Sequence, residues 1–103
     1  MTLRIGINGF GRIGRLVVRS LWPRIAAGEV ALVRVNDPGG DAATFAHLLE
    51  FDSVHGHFSP GGGIAGDGEQ LRLDGRAVAF SGASVPADAN WSGCDVVIEC
   101  SGK

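Results

Sequence analysis

The chain contains no tyrosine and few other aromatic residues, with five phenylalanines and two tryptophans among its 103 residues. Its two cysteines, Cys94 and Cys100, are too few for a disulfide framework and lack the paired spacing of a zinc knuckle. Nine basic and eleven acidic side chains leave a net charge of only −2, which provides no field for nucleic acid or an anionic membrane. We therefore expect a reduced, cytoplasmic protein with no nucleic-acid partner and no metal site.

Long apolar runs are also missing. No run approaches the ~20 residues that a membrane-spanning helix needs. The first residues enter a short apolar strand directly, without the basic segment and long apolar stretch of a signal peptide. The hydrophobic fraction of 45% is ordinary for a globular core. We expect residues 1–103 to form one domain at most, with no membrane partner.

Glycine is abundant, with 17 residues, and it separates segments of clear periodicity. Residues 3–8 are predicted to form a strand, and a helix is predicted to begin at Gly11. Pro23 is the predicted end of this helix, with Gly28 as a second stop signal. The predicted buried face of the helix consists of Ile13, Leu16, Val17 and Leu21.

The rest of the chain continues the alternation of strands and helices. Residues 30–36 are predicted to form a strand, and Asp41 to cap a helix over residues 42–50. Asp74-Gly75 predicts a hairpin turn, and residues 95–99 resemble a buried parallel strand. Residues 51–68 are predicted to be a long loop with at most a short strand. This order predicts an α/β fold, namely a Rossmann-like dinucleotide-binding domain with a mostly parallel sheet, incomplete at its C-terminus.

The chemistry is concentrated in the segment Gly9-Phe10-Gly11-Arg12-Ile13-Gly14, a G-x-G-x-x-G pattern between a predicted strand and a predicted helix. In this context Gly9 permits the tight turn, and Gly11 leaves room for a pyrophosphate beside the backbone. Gly14 lets the helix approach the sheet closely. The N-terminus of the helix would present its N–H groups to the phosphates.

Asp37 ends the second predicted strand and follows Gly14 by 23 residues, close to the ~20 expected for a ribose-binding acid. A carboxylate at this position accepts hydrogen bonds from the ribose hydroxyls and repels a 2′-phosphate. The sequence therefore predicts NAD rather than NADP as the cofactor.

Four stretches of the chain resemble phosphorylating glyceraldehyde-3-phosphate dehydrogenases. They are residues 5–15 (IGINGFGRIGR), 36–38 (NDP), 47–56 (HLLEFDSVHG) and 95–102 (DVVIECSG), in that order. The resemblance spans the chain from end to end. The related erythrose-4-phosphate dehydrogenases and an arsenate-detoxification variant of the family share part of these motifs and remain alternatives.

The resemblance implies the NAD-binding part of a cytoplasmic homotetramer of the glycolytic type. Such an enzyme oxidises an aldehyde phosphate through a cysteine thiohemiacetal, passes hydride to NAD and releases the acyl group to phosphate. Carried over by position, Arg12 and Ile13 would bind the pyrophosphate through their backbone, and Asp37 would hold the ribose. The expected cofactor-binding residues are Asn8, Gly9, Phe10, Gly11, Arg12, Ile13, Gly14, Asn36, Asp37, Pro38, Ser101 and Gly102.

Two departures from the family limit this reading. The nucleophilic cysteine of the family lies in a Ser-Cys-Thr-Thr-Asn stretch, which this chain does not contain. We expect Cys100 to be a packed, inert thiol, the catalytic domain and substrate site to be absent, and these 103 residues to be inactive alone. A stand-alone NAD-binding module is therefore a second hypothesis. In addition, Ser84 stands where the family has an arginine near the adenine.

Overall fold

The computed structural model describes residues 2–52, 56–57, 63–84 and 89–100. Two helices are present in this part of the chain, α1 (Arg12–Ala26) and α2 (Ala42–Glu50). The strands are β1 (Leu3–Asn8), β2 (Val30–Asn36), β3 (Phe51–Asp52), β4 (Gly56–His57), β5 (Ile64–Asp67), β6 (Gln70–Leu73), β7 (Arg76–Ser81) and β8 (Val96–Glu99).

Six of these strands form one sheet in the order β5-β6-β7-β2-β1-β8. Strand β1 pairs in parallel with β2 and with β8, and β2 pairs in parallel with β7. Strand β6 pairs antiparallel with both β5 and β7. Strands β3 and β4 form a separate two-stranded antiparallel pair. The mostly parallel sheet with its crossover helices confirms the predicted α/β Rossmann-like fold.

The strand order determines where a ligand can bind. From β1 the chain forms β2 on one side, continues to β5 at the far edge and comes back through β6 to β7. It then crosses to the opposite side of β1 to form β8. In open parallel sheets, ligands bind outside the carboxyl ends of the strands at such a reversal. In this chain that position lies beyond Asn8, Asn36, Ser81 and Glu99, the last residues of the four parallel strands.

Helix α1 extends past its predicted end, because Pro23 lies inside the last turn. Proline removes one main-chain donor, but the following residues still close the helix. Ala27 N donates to Pro23 O at 3.1 Å, and Gly28 N donates to Ile25 O at 3.1 Å. Gly28 has a φ of +80°, the left-handed conformation in which helices commonly terminate. The prediction that Pro23 ends the helix is therefore wrong, and the second stop signal is the effective one.

The buried face of α1 is rotated from the predicted one, although the predicted Val17 and Leu21 still pack, partly buried, against the core. Ile13 is 60% exposed, whereas Gly14, Val18 and Ile25 are buried. Gly14 lies on the side of α1 that meets the end of β1, where a side chain would overlap the Gly9 carbonyl. Since successive residues differ by about 100° around a helix, Ile13 then points away from the core.

The capped second helix and the hairpin are confirmed. The Asp41 carboxylate accepts a hydrogen bond from Thr44 N at 2.8 Å at the start of α2. Asp74 and Gly75 have φ values of 52° and 75°, as a two-residue turn between antiparallel strands requires. The core between the sheet and α2 includes the rings of Phe10, Phe45 and Phe80, with neighbouring centroids 5.9 and 5.8 Å apart.

Strand β8 differs from the buried strand that its sequence predicts. It pairs with β1 in parallel, as expected, but Val96 is 46% exposed and Val97 is 41% exposed. Within the described residues β8 is one of the two edge strands of the sheet, so one side of it has no neighbouring strand. An apolar run thus indicated the strand and its direction, but not its burial in this chain.

Candidate functional site

The glycine-rich turn connects β1 to α1 and has the geometry that its three glycines require. Gly9 has a φ of +95°, and its N–H donates to Asn36 O at 2.7 Å. A Cβ on Gly11 would meet no atom within 4 Å, so the space beside this residue is open. A Cβ on Gly14 would instead overlap the Gly9 carbonyl. The turn therefore combines an open position for a ligand with a closed position for helix packing.

The start of α1 provides main-chain donors next to this open position. Arg15 N makes the first bond of the helix, to Gly11 O at 3.0 Å. The amides of Arg12, Ile13 and Gly14 precede it, and helix geometry gives them no acceptor within the helix. Because Gly11 is the N-cap and has no side chain to occupy these amides, they can serve an anion together with the positive end of the helix dipole.

Asp37 links the end of β2 to the glycine-rich turn. Its Oδ2 accepts a hydrogen bond from Phe10 N at 2.7 Å, and its Oδ1 accepts one from Gly39 N at 2.7 Å. Each carboxylate oxygen has a second lone pair, so a ribose hydroxyl can still donate to it. Asp37 is thus fixed in place by the backbone before any ligand arrives.

A cleft of about 530 Å³ opens at the carboxyl ends of the parallel strands. Seven of the ten residues that line it are glycine or polar. It is lined by Asn8, Gly9, Gly11, Asp37, Pro38, Gly39, Ala83, Ser84, Glu99 and Cys100.

The predicted cofactor-binding residues fall into two groups. Asn8, Gly9, Gly11, Asp37 and Pro38 line the cleft, whereas Phe10, Arg12, Ile13, Gly14 and Asn36 do not. The ring of Phe10 is fully buried, so this residue can contribute only its backbone at the turn. Ser101 and Gly102 lie outside the described residues.

Asn36 does not line the cleft because its side chain is buried beneath the cleft floor and hydrogen-bonded there. Asn36 is 1% exposed, and Nδ2 donates to Asn8 Oδ1 and to Ala83 O, each at 2.9 Å. Its Oδ1 accepts from Ser81 Oγ at 2.8 Å and from Ala83 N at 2.9 Å. Asn8 Nδ2 in turn donates to Glu99 Oε2 at 2.8 Å. Side-chain hydrogen bonds therefore join the carboxyl ends of all four parallel strands.

The two thiols have environments that disfavour the reactive thiolate. Burial raises the pKa of Cys100, and the nearby Glu99 carboxylate raises it further. Burial also raises the pKa of Cys94, which lies against Gly6 beside the ring of Trp91. A nucleophilic cysteine needs a lowered pKa or an adjacent base. The expectation that Cys100 is inert agrees with this environment, although Cys100 itself lines the cleft.

Among the residues that the structure describes, no cluster of three or more metal-ligating side chains occurs. In the same part of the chain, neither helix has the length and apolar composition that a membrane span would require.

Residues 3–103 match the family described as glyceraldehyde 3-phosphate dehydrogenase, NAD binding domain. The chain belongs to this family. It is 45% identical to glyceraldehyde-3-phosphate dehydrogenase 3 of Nostoc sp. over all of its length, and 47% identical to glyceraldehyde-3-phosphate dehydrogenase of Pseudomonas aeruginosa over 99% of its length. Glyceraldehyde-3-phosphate dehydrogenase 2 of Schizosaccharomyces pombe is 40% identical over 96% of the chain.

These matches confirm the family resemblance inferred from the four motifs, and the family's own cofactor is the predicted NAD. The chain spans about 30% of the length of the Nostoc and Pseudomonas relatives. The cleft residues that the sequence analysis did not assign to the cofactor are Gly39, Ala83, Ser84, Glu99 and Cys100. All five could have been found from a simple rule, because each lies at or within three residues of a parallel strand's end. The family resemblance also places position 84 near the adenine.

Proposed function

We propose that this chain binds NAD in the cleft at the carboxyl ends of β1, β2, β7 and β8. The observation that carries the proposal is the open position at Gly11, next to the first amides of α1 and across from the fixed carboxylate of Asp37. A pyrophosphate fits the first two features, and an adenosine ribose fits the third. Family membership supports the same cofactor.

In this proposal the backbone of the turn and of the helix start binds the pyrophosphate. Asp37 accepts hydrogen bonds from the ribose hydroxyls while it holds Phe10 N in place. The proposed contact residues are those expected from the sequence, with Asn36 and Gly14 acting by support rather than by contact. The contributions proposed for Ser101 and Gly102 rest on the family resemblance alone.

We further propose that residues 1–103 are the NAD-binding domain of a phosphorylating aldehyde-phosphate dehydrogenase. Bound NAD would supply the hydride acceptor. The nucleophilic cysteine and the aldehyde-phosphate site would belong to a catalytic domain outside these residues, so this stretch alone is inactive. A homotetrameric, cytoplasmic enzyme is proposed from the family resemblance.

The test is a calorimetric titration of the chain with NAD and NADP. We expect saturable NAD binding and weaker NADP binding, because Asp37 repels a 2′-phosphate. Asp37→Ala should weaken NAD by about tenfold, the loss of one or two charge-assisted hydrogen bonds, and should bring the two affinities together. Asp67→Ala, which removes an exposed acid from the far edge of the sheet, serves as the matched control.

Absence of saturable NAD binding at millimolar cofactor would refute the proposed site. If Asp37→Ala changed neither the NAD affinity nor the preference over NADP, the ribose assignment would be wrong. Dehydrogenase activity of the 103-residue chain without any further segment would contradict the proposal that the nucleophile lies elsewhere.

A further inference from the structure

The residues that follow β7 form one wall of the cleft, and nothing in the main-chain pairing of the sheet holds them there. The parallel register between β2 and β7 ends at Asn36 and Ser81. Ala83 and Ser84 lie beyond that last pair, yet both line the cleft. Some other interaction must therefore fix the position of this wall.

The side chain of Asn36 provides that interaction. Its carboxamide bonds both main-chain groups of Ala83, since Oδ1 accepts from Ala83 N and Nδ2 donates to Ala83 O, each at 2.9 Å. The carboxamide of Asn36 thus bonds the main chain of Ala83 as a peptide group of a neighbouring strand would. It extends the hydrogen bonding between β2 and the chain after β7 beyond the last paired residues. The orientation of the carboxamide is fixed, because a main-chain N–H can only donate and a carbonyl can only accept.

The same side chain is anchored on its other side. Nδ2 also donates to Asn8 Oδ1 on β1, and Oδ1 also accepts from Ser81 Oγ on β7. Both donors and both acceptor positions of the carboxamide are therefore used. Asn8 and Asn36 are the two buried polar side chains within the described part of the chain. A buried polar group whose bonds are all satisfied specifies one arrangement of its neighbours.

The position of the wall indicates which part of the dinucleotide it faces. The phosphate-binding turn follows β1, and Asp37 for the ribose follows β2. Strand β7 lies next to β2 on the side away from β1. A nucleotide that runs from the turn across Asp37 therefore continues toward Ala83 and Ser84 with its base.

We propose that Asn36 is a positioning residue that sets the width of the base subsite through Ala83. This inference rests on the proposed function, since it assumes that the cleft binds NAD. The proposal predicts that Asn36 affects the preference for one nucleotide base over another although it does not contact the cofactor.

The experiment compares NAD with its 1,N6-etheno analogue, whose base carries an extra fused ring, on the full chain. The unmodified protein should prefer NAD. Asn36→Asp has nearly the same shape but presents lone pairs to Asn8 Oδ1 and Ala83 O. We expect it to weaken NAD by about tenfold, since unpaired buried acceptors are costly, and to reduce the preference over the analogue.

Position 81 supplies a milder pair of variants. Ser81→Ala removes the hydroxyl that bonds Asn36 Oδ1, whereas Ser81→Thr retains it. We expect the alanine variant to lose part of the base preference and the threonine variant to keep it. Asn90→Ala is the matched control, because the Asn90 side chain accepts hydrogen bonds from the nearby Ser92 N and Ser92 Oγ and lies away from the cleft lining.

The outcomes separate the two proposals. If the unmodified chain does not bind NAD, the proposed function fails and this inference fails with it. If the chain binds NAD but does not distinguish the etheno analogue, or if Asn36→Asp and Ser81→Ala lower both affinities by the same factor, the proposed function stands and the positioning role is wrong. A folded fraction measured by circular dichroism corrects each affinity for loss of structure.

Discussion

Two clefts open at opposite ends of the parallel strands, and they differ in chemistry. The cleft at the amino ends has a volume of about 340 Å³ and lies between the end of α1, β2 and the β6–β7 hairpin. Apolar side chains such as Ile25, Leu32 and Val78 dominate its walls. The cleft at the carboxyl ends has a volume of about 530 Å³. Seven of its ten lining residues are glycine or carry an amide, hydroxyl or carboxylate group.

The difference follows from the direction of the strands and helices. At the carboxyl ends, β1 runs into the N-terminus of α1, where main-chain N–H groups and the positive end of the dipole point outward. At the amino ends lies the C-terminus of α1, which is closed by hydrogen bonds from Ala27 N to Pro23 O and from Gly28 N to Ile25 O. The carboxyl end of the sheet therefore presents main-chain donors to a ligand, whereas the amino end presents mainly apolar side chains.

The largest effect is expected at the closed position of the glycine-rich turn. Gly14→Ala places a methyl group against the Gly9 carbonyl, and backbone on both sides cannot move away without separating α1 from the sheet. We expect a loss of about 3 kcal/mol or more in the free energy of unfolding, at the upper end for overpacked positions. Urea denaturation followed by circular dichroism measures it.

Gly11→Ala is the matched control within the same motif. A Cβ at Gly11 meets no atom and its φ of −71° suits alanine, so the loss in stability should stay below ~1 kcal/mol, the cost of alanine in place of glycine at an N-cap. NAD affinity should nevertheless fall by about tenfold or more, because the methyl group occupies space assigned to the pyrophosphate. Equal stability losses for the two variants would contradict the separate roles of these glycines.

A core truncation at the amino-end cleft should affect only stability. Leu32 is 8% exposed, and Leu32→Ala should lower the free energy of unfolding by about 2–3 kcal/mol through lost burial and an enlarged cleft. Once binding is corrected for the folded fraction, the preference for NAD over NADP should be unchanged. A change in that preference would show that the two ends of the sheet are not independent.

A smaller effect is expected at Ser84, which lines the carboxyl-end cleft where the family resemblance places an arginine. Ser84→Arg should tighten NAD binding by about three- to tenfold, because a guanidinium stacks on aromatic bases and attracts phosphate. Ser84→Ala is the control and should leave the affinity unchanged. Calorimetry at two salt concentrations would show whether the gain in affinity has an ionic component. An unaltered or weaker NAD affinity for the arginine variant would indicate that the base does not bind beside position 84.

The smallest effect concerns acid stability. The hydrogen bond from Thr44 lowers the pKa of Asp41, and hydrogen bonds from Arg4 lower the pKa of Asp95. A carboxyl group with a lowered folded-state pKa contributes stability that is present above its unfolded pKa. That stability is lost as the pH falls below about 4 and through the folded pKa.

Asp41→Asn isolates one part of this dependence, because asparagine keeps an acceptor for the helix cap but cannot titrate. The variant should melt close to the unmodified chain at neutral pH and lose less stability below about pH 4. Asp41→Ala should be slightly less stable at neutral pH because the cap is gone. Identical acid profiles for the unmodified chain and Asp41→Asn would show that the cap carboxylate does not contribute.

Short-range features of this fold could be predicted from sequence, and features that depend on distant partners could not. The turn from Gly9 to Gly14, the Asp41 cap and the Asp74-Gly75 hairpin each follow from a few adjacent residues. The outward position of Ile13 depends on which helix face meets β1, and periodicity leaves that phase uncertain by one residue. The role of Asn36 depends on Ala83, which is 47 positions away in the chain.

The most direct test of the account is a titration of the isotopically labelled chain with NAD, followed by backbone amide chemical shifts. We predict saturable changes at the amides of Gly9, Gly11, Arg12 and Ile13, at the carboxyl ends of the strands. The amides of Ala31 and Ala77, beside the amino-end cleft, should remain unchanged. Saturable changes confined to the amino-end cleft, or spread equally over both ends, would contradict the assignment of the cofactor site.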